Sequence, residues 1–121
     1  MRNGQHKNTI DMNLNDAPFS QIYNGEKTVE LRLYDEKRQQ ICVGDTLRFT
    51  RVNTNDIMET EVLALHVFKS FFELFQTPLF AQCGCGDLTI EQSVEMMRGY
   101  YTAEQESRYG VVGIEIKVLK K

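Results

Sequence analysis

The sequence predicts an α+β fold, a small curled sheet or barrel of about six strands with short peripheral helices. Three observations predict it. Several segments alternate apolar and polar residues, others open on helix-capping patterns, and 121 residues suit one domain with one modest core.

Residues 1–8 (MRNGQHKN) are polar and read as a flexible tail, leaving 9–121 as the single domain. In Thr9–Leu14, Ile10, Met12 and Leu14 alternate with polar neighbours, the pattern of a half-buried strand. Asn15, Asp16 and Pro18 then supply a helix start, Phe19, Ile22 and Tyr23 fall at helical spacing, and Asn24-Gly25 ends a short helix over 17–23. Residues 27–34 (KTVELRLY) form a strand by strict alternation: Val29, Leu31 and Leu33 face one way, Thr28, Glu30, Arg32 and Tyr34 the other. A charged connector over 35–40 leads to a Val43-Gly44-Asp45 turn and a strand at Thr46–Arg51. Asn53-Thr54-Asn55-Asp56 signals a hairpin into a long return strand over 58–68.

Helical signals follow. Ser70-x-x-Glu73, Thr89-x-x-Gln92 and Thr102-x-x-Gln105 match the capping box, in which a side chain at each end satisfies an orphan backbone N–H. They predict helices at Phe71–Phe75, Ile90–Arg98 and 103–108. The loop over 77–88, with Pro78 and a Cys-Gly-Cys-Gly run, is expected to be the least regular segment. The last strand, 111–119, places Val112, Ile114, Ile116 and Val118 on one face.

Several function classes drop out. The apolar runs fall far short of the ~20 residues that span a bilayer, and no charged-then-apolar leader follows Met1, so a cytoplasmic location is expected. Cys42, Cys83 and Cys85 are an odd set without the paired spacing of a zinc site, so neither a disulfide framework nor a metal is expected, and no cofactor is implied. A net charge of −3 excludes a bulk electrostatic nucleic-acid binder, but the charge is uneven. Residues 27–51 carry six cations against four anions, whereas 53–107 carry two against nine, which allows one basic face for a phosphate-bearing partner.

The run Gly25-Glu26-Lys27-Thr28-Val29-Glu30-Leu31-Arg32 carries Gly-x-Lys-x-x-Glu-x-Arg, followed by Asp35-Glu36-Lys37-Arg38 and the Val43–Phe49 stretch, and the chain closes on Tyr100-Tyr101, Glu104-Gln105-Glu106 and Tyr109-Gly110-Val111. In these features it resembles the ASCH family of the PUA-like superfamily, over nearly its whole length after the tail. The resemblance implies a PUA-like small mixed β-barrel with a cleft beside the signature strand that takes RNA or a nucleoside or nucleotide. It also implies an alternative, a small hydrolase acting on RNA or removing an acyl group from N4-acetylcytidine. Members with that second activity carry a threonine where this chain has Glu30, a departure that favours binding.

Glu30 and Arg32 share one face of the strand, one pleat apart, and can orient each other toward a base edge or phosphate. Lys27 has the opposite parity and cannot be buried unpaired, so it either starts the strand at a bend and reaches the cleft or extends to solvent. As an enzyme the chain would use Lys27 and Glu30 as its acid–base pair. As a binder it would use Lys27, Glu30, Arg32 and Arg38, with Tyr101 and Tyr109 stacking on bases. Thr28 is read as structural.

Overall fold

A computed structural model describes residues 7–120. Five strands form one mixed sheet: β1 (Thr9–Leu14), β2 (Val29–Leu33), β3 (Thr46–Arg51), β4 (Ile57–Phe68) and β5 (Val111–Lys120), in the spatial order β1-β3-β4-β5-β2. β1 runs parallel to β3 and every other pairing is antiparallel. Each segment read as a strand is one, so the count is five where the fold class suggested about six. The helices are α1 (Asp16–Tyr23), α2 (Glu36–Gln39), α3 (Phe71–Phe75), α4 (Ile90–Arg98) and α5 (Ala103–Tyr109), with a 3-10 turn at Pro78–Gln82.

The sheet is curled into a half-barrel. Register shifts between Glu59 and Thr60 and between Val62 and Ala64 kink the long β4, and such bulges sharpen local twist. The curl brings the two outermost strands face to face. Arg32 of β2 donates from Nη2 to the Asn13 carbonyl of β1 at 2.8 Å, and Lys37 of α2 donates to the Asp11 carbonyl at 2.8 Å. Side chains, rather than a ladder, bridge this seam.

The sheet buries both faces. Inside the curl, Met12, Leu14, Leu47, Phe49, Met58, Val62, Val112, Ile114 and Ile116 pack together, and α1 plugs the opening with Phe19 and Ile22. At eight residues α1 is too short to persist alone; burying Phe19 and Ile22 contributes roughly 3–6 kcal/mol to holding it. On the outer face, Val29, Leu31, Leu33 and Val111 meet Phe71, Leu74, Phe75, Cys83, Cys85 and Met97 of the helical segment.

The caps form largely as their spacing dictates. Thr89 and Thr102 make complete capping boxes with Gln92 and Gln105. Ser70 accepts from the Glu73 N–H, but the Glu73 carboxylate reaches the Lys69 N–H instead of returning to Ser70. The connector over 35–40 is more ordered than expected, because the Asp35 side chain accepts from the Arg38 N–H and caps α2. Asn8, assigned to the tail, is tied in: it donates to Asp45 Oδ1 at 3.1 Å and its carbonyl accepts from the Thr46 N–H at 2.9 Å. Of the rest of the expected tail, Lys7 is exposed, and residues 1–6 lie outside the described residues.

Candidate functional site

The pairing of β2 with β5 sets the direction of each signature side chain. Glu30 lies opposite Ile114 and Arg32 opposite Val112, so both turn inward with that apolar row, while Val29, Leu31 and Leu33 turn outward beneath the helices. Lys27 precedes the strand. The chain bends at Gly25, with φ +82°, and the N–H groups of Glu26 and Lys27 both donate to the Gln21 carbonyl. The bend frees Lys27 from strand alternation and brings it to the side of Glu30, the first of the two outcomes the sequence left open.

The result is a buried trio. Lys27 Nζ lies 3.0 Å from Glu30 Oε1, and Arg32 Nε lies 2.8 Å from Glu30 Oε2. Side-chain exposures of 9% for Lys27, 5% for Glu30 and 13% for Arg32 take the group well out of the class of surface ion pairs. Burial alone would raise the Glu30 carboxyl, but the charges of Lys27 and Arg32, with the hydrogen bonds they donate, outweigh it and hold the group below the usual carboxylate range. Two cations share one anion, which leaves the trio with one net positive charge.

The trio floors a cleft of about 340 Å³. Leu14, Ala17 and Pro18 wall one side, Met96, Met97, Tyr100 and Tyr101 the other, and Cys83-Gly84 overhang it. Gln21 holds that overhang by donating from Nε2 to the Gly84 carbonyl at 3.1 Å. Gly84 has φ +76°, and a Cβ there would sit 2.9 Å from Lys27 Cδ and 2.9 Å from Gln21 Oε1. Only glycine lets the loop lie this close across the lysine stem. Burial, reinforced by Cys85, pushes the Cys83 thiol up to about 12, so it lines the cleft as a neutral group.

Tyr101 is half-buried and stacks on Phe71 at 6.0 Å between ring centres. Burial also raises its phenol, which keeps it protonated. Tyr100, 59% exposed, stands at the rim.

Two residues proposed from the sequence lie elsewhere. Arg38 does not line the cleft; it pairs with Asp35 at 3.1 Å as part of the α2 turn. Tyr109 packs on the outer apolar cluster with the Arg108 guanidinium 5.3 Å over its ring, because α5 ends there and Gly110, at φ +72°, swings the chain into β5. Thr28 bonds Gln82 through its hydroxyl, and Lys37 is spent on the seam. Among the described residues, no cluster of His, Cys, Asp or Glu could hold a metal ion and no helix is long and apolar enough to cross a membrane. Sequence reasoning missed Gln21, Asn13 and Gly84. The glycine had a visible signal in the Cys-Gly-Cys run, whereas a helical glutamine and a strand asparagine carry none.

No curated protein matches the chain at a significant level. Among solved structures, it is similar to the hypothetical protein PH0355, with 34% identity and a TM-score of 0.83 over 92% of this chain and 99% of that one. It is also similar to protein PF0455 from Pyrococcus furiosus, with 34% identity and a TM-score of 0.76 over 93% and 99%. An ASCH domain from Lactobacillus crispatus shares the fold at 19% identity, with a TM-score of 0.60 over 93% of this chain and 79% of that one. A sequence model of the ASCH domain matches residues 12–120, and the chain belongs to the ASCH domain family.

Proposed function

We propose that the chain binds single-stranded RNA or a nucleotide in the cleft floored by Lys27, Glu30 and Arg32. One observation carries the reading: a net positive, water-poor floor lies at the bottom of an apolar-walled cleft large enough for a nucleoside-sized group. Lys27 spends one ammonium hydrogen on Glu30, and Arg32 spends Nε and one Nη2 hydrogen on Glu30 and Asn13. The donors that remain suit phosphate or base carbonyl oxygens. Tyr100, exposed at the rim with its ring tilted against Tyr101 at 6.4 Å between centres, can offer that ring to a base. The family resemblance points the same way.

The hydrolase reading has the Lys27–Glu30 contact in its favour and the state of Glu30 against it. A carboxylate held below its usual range, with both oxygens engaged, is a weak general base. Titration with short single-stranded RNAs tests the binding reading. Lys27→Ala and Arg32→Ala should each weaken binding by roughly tenfold or more and flatten its salt dependence. Unchanged affinity in both folded variants sinks it, and release of acetate from N4-acetylcytidine by the native protein would move the conclusion to the hydrolase.

A further inference from the structure

The cleft opens on the seam between the two outermost strands, and the hydrogen-bond parity of β2 determines what it meets there. The Tyr34 N–H donates to the Gly110 carbonyl at 3.0 Å and the Ile116 N–H to the Thr28 carbonyl at 2.9 Å. Even-numbered residues of β2 therefore face β5, and Val29, Leu31 and Leu33 point their N–H and C=O groups away from the ladder. Of these three, Leu31 lines the cleft. Its side chain is committed to the outer apolar cluster, so what it turns toward the seam is main chain.

Leu31 is 5% exposed, and among the described residues neither its N–H nor its C=O has a partner across the seam. Buried main-chain polar groups are rarely left unpaired. The same does not hold opposite it: the outward carbonyls of Asp11 and Asn13 on β1 are taken by Lys37 and Arg32.

We propose that the Leu31 main chain reads the ligand, its N–H and C=O pairing with an adjacent acceptor and donor on the free edge of an unpaired nucleobase. This rests on the nucleotide reading above and narrows it to a site that inspects a base. In an extended strand the N–H and C=O of one residue point the same way, and unpaired bases in RNA present neighbouring donors and acceptors on their Watson–Crick edges. Within a duplex those edges are occupied, so the cleft selects single strands. The spare donors of Lys27 and Arg32 lie beside Leu31 for a carbonyl or phosphate oxygen.

Isotope-labelled protein is titrated with the four ribonucleoside 5′-monophosphates, and then with the Watson–Crick-edge N-methyl derivative of each that binds. The inference expects the Leu31 amide to shift on binding and methylation to weaken affinity by at least about tenfold. Equal binding of the methylated derivative with the Leu31 amide unmoved overturns this inference and leaves the nucleotide reading standing. Failure to bind any of the four or short single-stranded RNAs overturns both.

Discussion

Replacing Glu30 by glutamine keeps the shape of the side chain and removes the charge that two cations share. Lys27 and Arg32 would then face each other with 9% and 13% of their side chains exposed and no anion between them. Removing one partner from a buried ion pair costs about 3–5 kcal/mol. Both cations touch the cleft, where water can partly compensate, so the lower end, about 3 kcal/mol, is expected. Against a typical domain stability of roughly 5–15 kcal/mol this is a large fraction. It corresponds to a fall in melting temperature on the order of 10 °C. Urea denaturation at neutral pH, with the slope compared between the two proteins, measures it. The pH dependence has a definite sign. The folded carboxyl lies below its ordinary value, so its contribution is complete above the unfolded pKa of about 4.3 and lost as pH falls through the lower folded value. The gap between native and Glu30→Gln proteins should therefore close only in acid. A loss below about 1 kcal/mol at neutral pH, the worth of an exposed pair, would refute the reasoning. So would a gap that persists once the carboxyl is protonated.

Gly84→Ala should weaken nucleotide binding and lower stability by about 1–3 kcal/mol, since its Cβ meets the Lys27 stem and Gln21 at a strained φ. Gly86→Ala, at φ +59° with open space around it, isolates the backbone cost and should leave binding intact; equal binding losses in the two would remove Gly84 from the site. Iodoacetamide at pH 8 should label exposed Cys42 and spare Cys83 until denaturant is added, as read by peptide mass, whereas native labelling of Cys83 at the rate of Cys42 would contradict its burial.

The strands were legible because the sheet is amphipathic nearly everywhere, and period-two alternation reports a face without tertiary knowledge. β2 shows the limit of that signal. Its apolar row, Val29, Leu31 and Leu33, reads as the core side, and it is buried under the helices. Its polar row reads as a solvent face, yet Glu30 is buried and Arg32 nearly so, because the sheet curls over them. Alternation separates two faces but cannot say that both are covered. Lys27 was undecidable for the same reason, since a bend at Gly25 overrides parity. Tyr109 and Arg38 were misplaced because proximity to family motifs in sequence says nothing about which side of a helix end a ring or guanidinium takes. Gln21 lines the cleft and bonds Gly84, 63 residues away, a link no local pattern encodes.

The seam has a second consequence, for how the molecule keeps to itself. Unpaired strand borders are templates for self-association, and a five-stranded open sheet has two of them. Curling turns both toward the same gap, and Arg32 and Lys37 occupy the carbonyls of β1 that another chain would otherwise pair with. Arg32 thus covers part of the β1 border as well as flooring the cleft.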